Sequence, residues 1–551
     1  MNLLGRLSSP AGKESTPFEF YFWVAQDKMV ELTNLVKVVC HHQDEEVVYY
    51  GIVDEVFRSS TLSSISDDVL RFDGKPENNL PIQSRGHFYA KVLVTRIEPL
   101  ILIPPREESY VYLAENKDLM KVYSFESIKK PLKAGFLQNG FRGPSTPAMV
   151  NLDYLDGTNG AHVNVNGITG VATKTSYLLF FIKSFLAECQ KYNEAHPSGD
   201  KMFINPIIFN LKGEDLMWLD KENINLTPEV AREYEALNIL PQPFERVGFY
   251  VPRRVVSNKE SITPFSSRLN SEVMLWSLKE IKERDLLEHL YSDDDLQDEN
   301  FRASLYAVNK LIEEEENITN FNSLMSMLKE KGNDPQPLGL YKSSFQRFLR
   351  RTETALEECR SIISRRMDSG FSIPFKDLEP GKTLVIDLHN LKDRAAKFVL
   401  ASLIKEILYL KEMDPKFENR KFIIMVDELN KFAPKVGYHN NPVAELIIDL
   451  SQRGRSLGVF LFGAQQMASQ VHDSVIGNSA LRVIGNTDPV ELSSDAYRFL
   501  TPSQKEQVMN LTIGSMMLKQ VGFKQPMVIK FPFPCFATRR EEVKGEIADL
   551  W

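Results

Sequence analysis

Three short stretches carry side chains whose types and spacing could act on a phosphate ester. The first is Val165-Asn-Gly167-Ile-Thr-Gly170-Val-Ala-Thr173-Lys174-Thr175-Ser176, between a strand pattern and an amphipathic helix pattern. At such a junction free backbone N–H groups and the positive end of the helix dipole face an anion. Glycines let the backbone come close, a lysine neutralises the outer phosphates, and a hydroxyl can join a Mg2+ shell. Counted back from Lys174, Ile168 and Thr173 stand where a GxxxxGK[ST] loop has glycine. Aligning Gly167-Ile-Thr-Gly170 instead needs one extra residue before the lysine. A plain strand–turn–helix corner would account for the same residues, so this stretch decides nothing alone.

The second stretch, Phe422-Ile-Ile-Met-Val-Asp427-Glu428, is a hydrophobic strand ending in two carboxylates. The first acid would hold Mg2+, and the second would polarise an attacking water as a general base. The third is Gln465-Gln466 after the strand Val459–Ala464, where an amide could sense an outer phosphate. All three would lie at the carboxyl ends of parallel strands, where open α/β sheets bind ligands.

The surrounding sequence supplies such a sheet. Strand patterns at Ala161–Asn166, Phe203–Phe209, Thr383–Leu388, Lys421–Val426 and Val459–Ala464 alternate with helices over Lys174–Tyr192 and Ala395–Leu410. That alternation calls for a parallel sheet with helices on both faces, an α/β core over 148–251 and 378–540. Residues 252–377 interrupt it with charged, helix-favouring runs such as Lys310–Glu316, read as a helical insertion with solvated acidic faces. Residues 1–105 read as a small antiparallel β-barrel or sandwich, with strands at Phe18–Val24, Val36–Cys40, Glu46–Val53 and His87–Val94. Residues 106–147 read as a linker and 541–551 as a tail.

The chain has 551 residues, 43% hydrophobic and 25% charged, which suits a multidomain globular protein. No run of about 18 apolar residues is present and the first residues lack a signal-peptide core, so a cytoplasmic address without membrane is expected. Cys40, Cys189, Cys359 and Cys535 are far apart, which speaks against zinc or a disulfide framework. A net charge of −8 disfavours a surface coated for nucleic acid, but leaves room for DNA held inside a ring whose channel alone is basic.

Several motifs together resemble the HerA family of hexameric DNA-translocating ATPases, relatives of FtsK. Val426-Asp-Glu428-Leu-Asn430-Lys-Phe432-Ala-Pro434 is similar to that family's Walker B strand and "AHNFAP"-like turn. Ser451-Gln-Arg-Gly454-Arg455-Ser-Leu-Gly458, leading to Ala464-Gln465, resembles "REGRKFG…TQ". Val483-Ile-Gly-Asn486-Thr-Asp488-Pro489 resembles "L-T-N-P-x-D", and Leu511–Met517 resembles the strand near these motors' carboxyl end. The resemblance implies a RecA-like ASCE P-loop core with an amino-terminal HAS-barrel and a helical subdomain. ATP and Mg2+ are the implied cofactors. Gly167, Gly170, Thr173, Lys174, Thr175 and Ser176 would hold the phosphates, with Thr175 and Asp427 on the metal. Glu428 would activate water, Gln465 act as sensor, and Arg455 reach a neighbouring subunit's nucleotide, with Arg453, Arg539 and Arg540 as alternates.

The implied partners are double-stranded DNA, five further copies in a homo-hexamer, and a separate effector, a nuclease or a sirtuin-like NAD-consuming enzyme. Lys212 or Lys431 would grip DNA phosphates from pore loops. The family's glycine-rich loop is altered here, and Asn210-Leu-Lys212-Gly213-Glu214-Asp215 replaces a "DPHGEY"-like turn. Similar alterations occur in bacterial antiviral members. Two other readings stay open: a nucleotide-binding ring scaffold without processive transport, and a conjugation-type coupling ATPase, which would need a membrane anchor.

Overall fold

The computed structural model describes residues 2–60, 64–78, 86–115, 117–140, 145–168, 174–199, 201–255, 262–315, 317–371, 373–439 and 441–545. The chain divides into two units, Met1–Asn151 with Arg498–Phe531, and Leu152–Tyr497 with Pro532–Trp551.

The first unit opens with β1 (Leu3–Leu7), β2 (Glu19–Val24), β3 (Leu35–His42), β4 (Glu45–Ser59), β5 (His87–Glu98) and β6 (Tyr110–Leu113). These close into a barrel in the order β1-β2-β5-β4-β3-β6, every pair antiparallel. Alternation builds it: Phe20, Phe22 and Val24 of β2 enter the core with Val36, Val38 and Cys40 of β3, while Trp23 faces outward. The barrel closes only with β6, beyond the boundary expected at residue 105. β1 escapes the sequence pattern because Gly5 interrupts it. A Cβ there would lie 1.8 Å from the Trp23 carbonyl oxygen, so the close approach of β2 requires the glycine.

The same unit contains β7 (Pro131–Leu137), β8 (Thr146–Asn151), β17 (Ser515–Gln520) and β18 (Met527–Lys530), antiparallel in the order β17-β18-β7-β8. Residues 106–147 are therefore not a bare linker, and 498–531 belong to this unit rather than to the expected core segment. The cause is long-range pairing, Ile529 opposite Leu137, which local composition does not reveal.

The second unit holds β9 (Val163–Asn166), β10 (Phe203–Asn210), β11 (Val247–Val251), β12 (Glu272–Val273), β13 (Thr383–Asp387), β14 (Arg420–Val426), β15 (Val459–Gln465) and β16 (Leu481–Ile484). They run in the order β12-β11-β13-β10-β14-β15-β9-β16, and every pairing is parallel. Covered on both faces, the inner strands are continuous apolar runs: Phe422 to Val426 and Val459 to Phe462 are all buried. β9 and β14, the strands leading to the two candidate motifs, are separated by β15 alone.

The interruption at 252–377 is helical, with helices Leu278–Glu283, Asp293–Gln297, Glu299–Glu314, Phe321–Lys331 and Lys342–Glu358. Ser277, Ser292, Asp298 and Asn320 cap four of them through side-chain oxygens. Tyr291, Phe301 and Phe348 form their aromatic core, with Phe301 and Phe348 ring centroids 5.0 Å apart. All four cysteines are free and buried. Among the described residues no helix is long and apolar enough to cross a membrane.

Candidate active site

Register brings the carboxyl ends of the central strands level: Asn166 of β9 lies opposite Gln465 of β15, and Phe209 of β10 opposite Val426 of β14. The chain leaves β9 through Gly167, at φ +146°, where a Cβ would sit 3.1 Å from the Asn486 carbonyl oxygen. Ile168 donates its N–H to that same oxygen at 2.8 Å. The Asn486-Thr487 stretch thus braces the start of the loop. Asn166 adds to this by donating to the hydroxyls of Thr487 at 3.3 Å and Tyr497 at 2.6 Å. Gly170 and Thr173, two expected phosphate contacts, lie outside the described residues.

The loop delivers Lys174 as the first residue of the helix Lys174–Ala195. Its side chain is 2% exposed and its Nζ meets no hydrogen-bond partner among the described residues. Burial pushes this ammonium down to about 8, against the attraction of Asp427. A buried, unpartnered ammonium is costly unless an anion completes it. Thr175, next along the helix, donates its hydroxyl to Asp427 Oδ2 at 3.0 Å, and Ser176 is half-buried on the same turn.

Consecutive strand residues point to opposite faces, yet Asp427 and Glu428 meet one cation. Lys212 Nζ lies 3.1 Å from Asp427 Oδ2 and 3.5 Å from Glu428 Oε1. Glu428 achieves this in the left-handed region, φ 54° and ψ 47°, an uncommon conformation for a non-glycine residue and typical of functional turns. Lys431 Nζ holds its other oxygen at 2.5 Å. Burial alone would raise the Glu428 carboxyl, but the hydrogen bond from Lys431 and the charge of Lys212 outweigh it and lower the pKa. Glu428 is thus an anion, as a base must be. Lys212 and Lys431, expected to grip DNA from pore loops, are instead committed to these carboxylates in this state.

Two other expected residues behave differently from their assigned roles. Gln465 is fully buried, and its amide donates to Asn164 Oδ1 at 2.7 Å and accepts from Asn164 Nδ2 at 3.2 Å. With both amide functions used, Gln465 locks β15 to β9; the exposed Gln466 follows it at the strand end. Arg455 occupies the last turn of the helix Pro442–Leu457, before β15 begins, hence at the amino edge of the sheet. There it donates to the carbonyls of Thr158 at 2.7 Å and Gly157 at 3.3 Å. Neither joins this chain's own carboxylates. Arg453 pairs with Asp449 and Arg539 with Asp215.

The sequence reading missed Lys212 as the carboxylates' partner and a neighbouring pair at the end of β13. His389 Nδ1 lies 2.7 Å from Asp387 Oδ1, which also accepts from Asn210 Nδ2 at 3.0 Å, and the Asp387 hydrogen bond raises the His389 pKa. Among the described residues no group of three or more His, Cys, Asp or Glu forms a metal cluster. One carboxylate, a hydroxyl and an orphaned ammonium at a helix start instead fit a Mg2+–triphosphate, in which phosphate oxygens and waters supply most of the metal's shell.

No family model and no curated protein sequence matches the chain. Among solved structures it is similar to the plasmid coupling protein TrwB in complex with ADP and Mg2+, with 12% identity and a TM-score of 0.46, covering 72% of this chain and 90% of that one. It is also similar to VirB4 of Thermoanaerobacter pseudethanolicus, with 14% identity, a TM-score of 0.41 and coverage of 73% and 96%. A third is the genome packaging NTPase B204 from Sulfolobus turreted icosahedral virus 2 with ATP-gammaS, with 15% identity, a TM-score of 0.21 and coverage of 28% and 70%. What the site can do is decided by its own side chains.

Two outcomes follow from this geometry. A polyanion favours charged Lys174, so its pKa rises on binding; above pH 8 the free site is increasingly neutral and must take up a proton. ATP affinity should therefore hold at pH 7 and fall by up to about tenfold per unit above pH 8, as measured by titration of a fluorescent ATP analogue. Replacing Lys212 with alanine uncovers Asp427, and Mn2+ binding without nucleotide, followed by electron paramagnetic resonance, should tighten by about tenfold.

Proposed function

We propose that this chain is a Mg2+-dependent ATPase whose hydrolysis drives double-stranded DNA through a homo-hexameric ring. The observation that carries this reading is the convergence of Lys174, Thr175, Asp427 and Glu428 at one sheet edge. Lys174 is the charge partner of the outer phosphates, at the positive end of its helix. Thr175 and Asp427 are the metal's protein ligands, and the metal supplies neutralisation of charge developing on the phosphoryl oxygens. Glu428 orients the attacking water and accepts its proton. Gln465 is a positioning residue that fixes β15 against β9, and Asn486 and Thr487 brace the loop.

Arg455 supports a ring rather than a solitary enzyme. It is exposed, at the sheet edge opposite its own carboxylates, and this reading assigns it to another subunit's nucleotide across a head-to-tail contact. Among the described residues no His, Cys, Asp or Glu cluster suited to a second metal centre is present, and this reading assigns any DNA-cutting or NAD-consuming chemistry, in antiviral defence or end processing, to a separate effector. A ring scaffold that assembles the effector without transport is favoured by one observation: Lys212 and Lys431 are ion-paired with the two carboxylates.

DNA-stimulated ATP hydrolysis separates the two. The motor reading expects turnover that rises with duplex DNA and falls by about 10²–10⁴ in Glu428→Gln, with ATP binding retained. Equal turnover in Glu428→Gln, or none in the native chain under any DNA, would overturn it.

A further inference from the structure

The barrel carries a second constellation that the ATPase site does not use. Register aligns one outward residue on each of five neighbouring strands: Tyr110 of β6 opposite Arg6 of β1, Arg6 opposite Trp23 of β2, Trp23 opposite Tyr89 of β5, and Tyr89 opposite Phe57 of β4. Strands lie about 4.8 Å apart, so this is one continuous row of rings and cations across the outer face. Arg6 Cζ sits 4.5 Å from the Tyr110 ring centroid, and Lys13 Nζ 3.8 Å from that of Tyr89, which stacks on Phe57 at 4.9 Å. Between these two cation-capped tyrosines stands Trp23, 47% exposed, with no ring or cation partner among the described residues. An uncovered indole flanked by two ammonium or guanidinium groups at strand spacing has the form of a stacking platform with phosphate contacts on either side.

A cavity of about 830 Å³ begins at the same tryptophan. Among the described residues its lining carries three cations, Lys28, Arg58 and Arg71, with the carboxylate of Asp68, and Asp27 lies 3.7 Å from the Lys28 ammonium. In a chain of net charge −8 this is a local balance of positive sign. The next row along the barrel is charge-balanced, with Lys91 held by Glu19 at 3.1 Å. An apolar protein partner would be met by uncovered aliphatic groups; here every flanking ring is paired with a cation. We propose that this face of the barrel binds single-stranded nucleic acid, one unpaired base stacking on Trp23 while Arg6 and Lys13 meet the adjoining phosphates and the strand continues into the Lys28–Arg58–Arg71 cavity. The site is independent of the ATPase reading.

The test uses the full-length chain without nucleotide and labelled 20-mers of dT and rU, followed by anisotropy and by intrinsic fluorescence. Of the four tryptophans, Trp218 and Trp276 are buried and Trp551 lies outside the described residues, so Trp23→Phe identifies the signal. Binding of either oligomer should quench the native chain and not Trp23→Phe; whichever binds tighter assigns DNA or RNA as the source. Trp23→Ala should weaken binding by about tenfold with an unchanged melting temperature, the scale of one lost stack. Lys13→Gln should lower the slope of log affinity against log salt by about 0.7, one phosphate contact. Affinity unchanged in Trp23→Ala, tighter binding of a 20-base-pair duplex than of either single strand, or crosslinking through the row to a protein alone would each overturn the proposal.

Discussion

A buried ammonium with no hydrogen-bond partner among the described residues stands at the centre of the candidate site. Lys174 is nearly inaccessible and feels the attraction of Asp427 and Glu428, while those two carboxylates are already held by other lysines. Isolated charge in a low-dielectric site costs several kcal/mol, and proteins normally neutralise it or give it a partner. Here the pKa falls only to about 8, so the lysine is still mostly charged at neutral pH. In the proposed function a bound polyanion would remove that cost. A dication would have the converse requirement, since a metal at Asp427 would compete with Lys212 for the same carboxylate oxygen. Loading the proposed site would therefore be an exchange of cations, in which the protein's own ammonium gives way.

Such an exchange needs groups that are rigid on one side and movable on the other. The rigid side is the three-strand segment β14-β15-β9. Its interior is continuous apolar packing, and the Gln465–Asn164 amide pair ties the inserted strand to the one that carries the loop. The other side is the turn after β10. Lys212 stands one residue before Gly213, at φ +51°, and four residues before Leu216 at φ +69°. Glu428 itself is in a left-handed conformation, and the local strain serves to turn both carboxylates toward one point.

The legible part of this arrangement was local. The apolar run ending in Asp427-Glu428 announces a buried strand with acids at its mouth, and the helix over Lys174–Tyr192 follows its periodicity to within a few residues of the observed Lys174–Ala195. What was hidden depends on neighbours in space. Lys212 meets Asp427 because β10 pairs with β14, a fact of strand order that no spacing in the sequence displays. Gln465 has a residue type suited to sensing phosphate, but only the position of Asn164 shows that its amide is occupied. The barrel's last strand and β18 were missed for the same reason, being four residues long and defined by partners up to several hundred residues away.

The placement of Arg455 has a geometric consequence for assembly. In a parallel sheet all carboxyl ends share one edge, so the ATPase residues cluster there and the amino edge has no access to them. An arginine at that amino edge can meet a triphosphate only across a contact joining unlike edges of two copies. A two-fold dimer joins like surfaces, each residue's contact being returned by its partner, and would set two amino edges or two carboxyl edges together. Only a head-to-tail contact sets an amino edge against a carboxyl edge. Repeated by rotation, it must close into a ring or continue as a filament. Hence, if Arg455 acts on nucleotide at all, each site is shared by two chains and the chemistry is inseparable from the assembly. The hydrogen bonds Arg455 now makes to Gly157 and Thr158 would be the contacts given up when a neighbour's phosphates arrive.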